Sequence, residues 1–282
     1  MLKSMKPSLL RIFWLARLTF LEAVRQRFFA FLIVLGAAMV LSSFAFRFLD
    51  FGHGELKFIA DFGFGGLFFF GSILALVMTA QLLFAEIDNR TALTLLAKPV
   101  SRTEFLLGKF AGIWIVLGLF VFVLSTLLGV MLWGRWQELV ILAEQTAKVA
   151  PQFSLEGVFS HALLQWFRLG VVTSMVLLIS TIARTFLFAV VVGAMTIVAG
   201  QLQWLAQEAL FKPAELNPFS HALLWLASRL LPNLQQFNIG DALALDPSAV
   251  ATGAVSAAIL SGGFYLIAYL FLASLTFQRR EI

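Results

Sequence analysis

Gly108-Lys109 is where this 282-residue sequence comes nearest to a phosphate-binding loop, and it falls short. Thr103 stands where the first glycine of such a loop belongs, and Phe110 where a Ser or Thr would meet magnesium. The segment also opens an apolar helix instead of following a strand. Gly108 and Gly112 form a small-xxx-small pair, which suits close helix packing. Metal chemistry fares no better. His53, His161 and His221 are far apart, in or near the connections expected on the outer side, with no paired spacing, and cysteine is absent. Neither a zinc site nor a disulfide framework is expected. Ser174, Ser180 and Ser261 fall in apolar stretches with no histidine expected beside them, so helix packing is their expected use. The expectation is a chain with no catalytic residue, no metal and no cofactor of its own.

Arg168 is the exception worth holding. It sits about a turn and a half into an apolar stretch, where a charge is costly unless it faces the bundle interior or reaches the headgroups. One reading is contact with an anionic substrate or a partner subunit. The modest depth favours the other, snorkelling to the outer surface.

The elements that would position these residues are membrane helices. Hydrophobic residues make up 61% of the chain and charged residues 12%, where soluble proteins carry about a quarter charged. A span needs about 20 mostly apolar residues. The runs 28–46, 62–85, 110–134, 185–207 and 248–278 qualify, and 169–183 does so once Arg168 and 163–167 are added. The fold class expected is an all-α integral membrane protein: six transmembrane helices preceded by an N-terminal amphipathic interfacial helix over 7–27. Residues 1–282 form one membrane domain. Most of the 20 Lys and Arg fall on one side if both termini are cytoplasmic, the arrangement the positive-inside rule favours. The same asymmetry accounts for the net charge of +5 without nucleic acid. The basic N-terminus, with no small-residue cleavage site, is not read as a cleaved signal.

Two connections look organised. In 86–98, Asn89 or Thr91 can cap a short helix that Pro99 stops. Its leucines are too apolar for an idle loop. The outer connection 208–246 is punctuated by Pro213, Pro218 and Pro232, predicting short helices and turns. Asp246-Pro247 then predicts the start of a last helix of roughly 30 residues, about 45 Å long.

Ala85 to Thr91 (AEIDNRT), Leu95 to Arg102 (LLAKPVSR) and Glu104 to Lys109 (EFLLGK) together resemble the cytoplasmic loop of ABC transporter permeases of the type-2 exporter family. Leu18 to Glu22 with Arg25 to Phe28 is similar to that family's lead-in to its first span. Leu231-Pro-Asn-Leu234, followed by Phe237-Asn238, resembles a motif in its outer connection. The resemblance implies a permease in a bacterial cytoplasmic (inner) membrane, paired with a second permease, identical or not. Two separate ATP-binding subunits, which bind ATP and magnesium, would dock on its cytoplasmic face. It implies that 86–98 is a coupling helix, with Leu93 and Leu96 as apolar anchors and Glu86, Asp88, Arg90 and Lys98 as a charged rim. Few charges in the spans lean towards export of an apolar or amphiphilic cargo. The rivals are an ABC-type subunit transmitting work to an outer partner, a membrane-embedded enzyme, and an ion-driven transporter. The enzyme would need clustered His, Asp or Glu at one depth, and the ion-driven transporter midplane ionisable groups or paired broken helices. Neither pattern is expected here.

Overall fold

The computed structural model describes residues 5–43, 45, 55–88, 101–146, 151–210, 217–246, 248, 250 and 253–279, and among these it contains helices and no strand. In chain order the helices are α1 (Met5–Val24), α2 (Arg27–Ser43), α3 (Glu55–Asp88), α4 (Arg102–Thr146), α5 (Leu155–Ile182), α6 (Phe186–Gln201), α7 (Gln203–Leu210), α8 (Pro218–Leu230), a 3-10 turn (Leu234–Phe237), α9 (Gly240–Leu245) and α10 (Ala254–Arg279).

Four helices, α3, α4, α5 and α10, are each long and apolar enough to cross a membrane. Two further crossings exist if α1 with α2 and α6 with α7 each count as one bent span, with bends of 65° and 47°. The described residues therefore hold four to six candidate spans. The break at 25–26 falls where the sequence reading separates the interfacial helix 7–27 from the first span, whereas the break at Leu202 lies inside the run 185–207 read as one span and is a correction. Polar side chains explain the second break. Gln201 and Gln203, on either side of Leu202, are drawn to different partners, Arg168 and the Ser228 carbonyl.

Helix α5 is the centre of the bundle. In its most apolar window 72% is buried, against 17% for α10, which leaves Leu260, Phe264, Ile267 and Phe271 exposed at the edge. Surfaces of this kind are unstable against water and natural against lipid tails. The α4–α5 seam is closed by a reciprocal clasp. Trp114 Nε1 donates to the Trp166 carbonyl at 3.0 Å, and Trp166 Nε1 returns the bond to the Trp114 carbonyl at 2.8 Å. The indoles stack at 4.9 Å, an approach that the lack of a side chain at Gly118 and Gly170 permits.

The glycine pair read as a packing motif meets α1. A Cβ on Gly112 would lie 2.6 Å from Thr19 Cβ, and one on Gly108 would lie 2.5 Å from Leu15 Cβ. Arg11 pairs with Glu104 at 3.7 Å, so contacts advance four residues at a time along both helices. Helix α1 thus runs beside the first turns of α4 in the same direction. Leu10, Phe13, Trp14 and Leu21 remain exposed on its other side.

The last helix begins later than the sequence predicts. Asp246 ends α9, its N–H donating to the Ala242 carbonyl, instead of capping α10. Helix α10 starts at Ala254 just after Gly253, whose φ of +88° suits a residue without Cβ. Its 26 residues span about 39 Å.

Candidate functional site

Two regions combine unusual chemistry with a defined position. The first flanks the segment read as the coupling helix. Arg90, Leu93, Leu96 and Lys98 lie outside the described residues. Glu86 and Asp88 do not begin a separate helix: α3 runs unbroken through both. No proline or glycine interrupts the run between Leu82 and Asp88, so the span helix continues past its apolar stretch.

On the far side of that segment the chain re-enters helix at a capping box. The Ser101 N–H donates to Glu104 Oε2 at 2.9 Å, and the Glu104 N–H donates to Ser101 Oγ at 3.2 Å. This helix start is braced from two directions. Arg11 of α1 reaches Glu104, and Glu22 reaches Lys109 at 3.6 Å. Arg102 donates to the carbonyls of Phe277 and Gln278 at 3.2 and 3.0 Å, at the end of α10 where unpaired carbonyls favour a cation. The beginning of α4, the whole of α1 and the end of α10 thus form one linked platform beside the segment.

The second region surrounds Arg168. The side chain does not snorkel; it is 1% exposed, inside the bundle. Its guanidinium donates to Gln201 Oε1 at 2.5 Å and to Gln165 Oε1 at 3.4 Å, and lies 3.4 Å from the centre of the Phe68 ring. The Gln165 amide nitrogen meets His161 Nε2 at 2.9 Å, and Gln201 Nε2 donates to Gln235 Oε1 at 2.8 Å. His161, near the start of α5 and so close to the connection beside which the sequence reading puts it, is buried against Phe64 with ring centres 4.3 Å apart. A polar chain therefore runs through α5, α6 and the 3-10 turn, stacked on two phenylalanines of α3. No carboxylate among the described residues pairs with Arg168. The cation is held by amide oxygens and a π face.

No group of three or more metal-ligating side chains occurs among the described residues. A family model described as "ABC-2 family transporter protein" matches residues 13–282. The chain belongs to the ABC-2 family. It is a multi-pass membrane protein and the permease component of an ABC transporter, and membership implies work alongside an ABC ATPase subunit. A search of curated proteins finds no match.

In this ABC-2 permease the motif over 231–238 packs into the bundle. Leu231 ends α8, and Asn233 caps the 3-10 turn by accepting from the Gln235 N–H at 3.1 Å. Leu234 and Phe237 are fully buried, facing Gly200 and Gly262. Between them Gln235 completes the Arg168 chain. The sequence reading singles out Arg168 and weighs His161 only as a metal ligand, and it does not single out Gln165, Gln201 or Gln235. One signal was available: 161, 165 and 168 are spaced four and three apart, which puts them on one face of an otherwise apolar helix.

Proposed function

We propose that this ABC-2 permease passes an apolar or amphiphilic substrate outward, driven by a separate ATPase that docks on the segment 86–98. The observation carrying the reading is the braced platform. A push on 86–98 bears directly on the end of α3 and on the start of α4, and α4 is tied to α1 and α10 by three charge-assisted links. Force applied there moves several helices together instead of one loop. Leu93 and Leu96 supply the apolar anchors, with Glu86, Asp88, Arg90 and Lys98 around them. ATP and magnesium stay in the partner. A second permease, a copy or a homologue, forms the other wall of the path, and nucleotide state shifts the pair between two arrangements. Both termini lie in the cytoplasm of a bacterium, with six crossings of its inner membrane.

The test is co-purification in mild detergent from native cells. The expected result is a stoichiometric soluble protein carrying a phosphate-binding loop, lost when Leu93→Asp and Leu96→Asp are combined while the permease still inserts. A permease that purifies alone under several gentle conditions removes the coupling assignment.

A further inference from the structure

The α7–α8 hairpin encloses a feature that transport coupling does not use. A groove of about 550 Å³ lies between the hairpin, the 3-10 turn and α10. Gln203, Gln207 and Asn233 line one part of it, and Trp225 and Arg229 another, with no carboxylate among the lining residues. The hairpin is held at this spot deliberately: Tyr265 and Tyr269, the only two tyrosines of the chain, donate to the Arg229 and Leu230 carbonyls at 3.0 and 2.6 Å. Gln203 adds a bond from its amide nitrogen to the Ser228 carbonyl, while its buried amide oxygen has no partner.

Three properties define the ligand. Arg229 is exposed, has no ion pair among the described residues and sits 5.9 Å from the Trp225 ring centre, so the groove is cationic. Gln207 and Asn233 carry amide hydrogens beyond the single 3.4 Å bond between them. Leu210 and Trp225 line the groove itself, and elsewhere on the hairpin Phe219, Leu223, Leu226 and Leu205 are exposed, a surface suited to acyl chains that lead away from it. We propose that this groove binds the phosphate of an anionic amphiphile, with Arg229 contacting the charge, Gln207 and Asn233 donating to phosphate oxygens, and the chains lying on the hairpin's exposed leucines and phenylalanine. A guanidinium with flanking amide donors matches phosphate geometry. The site is independent of ATP coupling, so its failure would leave the coupling reading untouched.

Native mass spectrometry of the full-length permease, with whatever subunits accompany it, counts the lipid retained from mixed micelles of phosphatidylglycerol and phosphatidylcholine. Phosphatidylglycerol should be retained about fivefold over phosphatidylcholine, the factor one cation–headgroup contact is worth. Arg229→Gln should abolish the preference, Arg229→Lys should restore most of it, and Gln207→Leu should lower it with the charge intact. Equal retention of the two lipids, or an unchanged preference in Arg229→Gln, overturns the proposal. Removal of phosphatidylglycerol by low millimolar inorganic phosphate also overturns it, because the ligand would then be a soluble phosphate compound. Arg229 lies on the surface, so its variants test recognition without testing folding.

Discussion

Arg168 shows how a single cation can be kept inside a membrane bundle without an acid. Its desolvation is offset by two amide oxygens and the face of Phe68, each weaker than a carboxylate but together directional. The arrangement fixes which substitutions should be tolerated. Arg168→Ala leaves the Gln165 and Gln201 amides short of a partner and opens a cavity. It should lower stability in detergent by about 3 kcal/mol, read as a drop in the tryptophan-detected unfolding midpoint. Arg168→Gln retains a donor for Gln201 and removes the buried charge, so it should stay much nearer the parent protein. Equal losses in the two variants would mean that neither the filled volume nor the retained donor matters and that the cation on Phe68 is what the site requires. Each tyrosine of α10 poses a smaller test. Tyr269→Phe removes one hydrogen bond to α8 at a cost of about 1 kcal/mol, and amide exchange should rise in 218–230 without rising in α5.

At the scale of elements, helices in lipid pair through shape more than through hydrophobic drive, because the surrounding tails are as apolar as their side chains. The α1–α4 contact illustrates this. Gly108 and Gly112 let the backbones approach until Thr19 and Leu15 fill the space, and the charges of Arg11, Glu22, Glu104 and Lys109 set the register. Gly112→Leu cannot be accommodated beside the Ala16 carbonyl, 2.7 Å from the added Cβ. It should cost about 1–3 kcal/mol and free α1, seen as protease cleavage within 8–24. The same variant should also weaken ATPase co-purification if α1 belongs to the platform that receives force. Retained co-purification with a freed α1 would confine that platform to α4 and α10.

At the scale of the whole molecule the prediction concerns topology, and the absence of cysteine lets single cysteines report on it. Single cysteines at Glu144 and Arg279 lie at the ends of α4 and α10, long helices that each exceed or match a bilayer. With both termini inside, an impermeant maleimide should label position 144 in intact cells and position 279 only after permeabilisation. Labelling of both from outside would require an odd number of crossings between them to be replaced by an even one, and the bent pairs would be the place to look.

What the sequence determined by itself rests on composition and local pattern. Hydrophobic runs of about 20 residues or more locate the candidate membrane helices, the small-xxx-small spacing marks a close contact, and the loop motif between α3 and α4 leads to the family that residues 13–282 match. The remainder depends on residues far apart in the chain. The partner of Gly108 and Gly112 is α1, the shelter of Arg168 comes from Phe68, Gln201 and Gln235, and the break at 202 falls where Gln201 and Gln203 meet separate partners. Depth along one helix suggested snorkelling for Arg168; burial by four elements reversed it. A charge's environment is set by what packs around it, and hydropathy along a single helix carries no record of that.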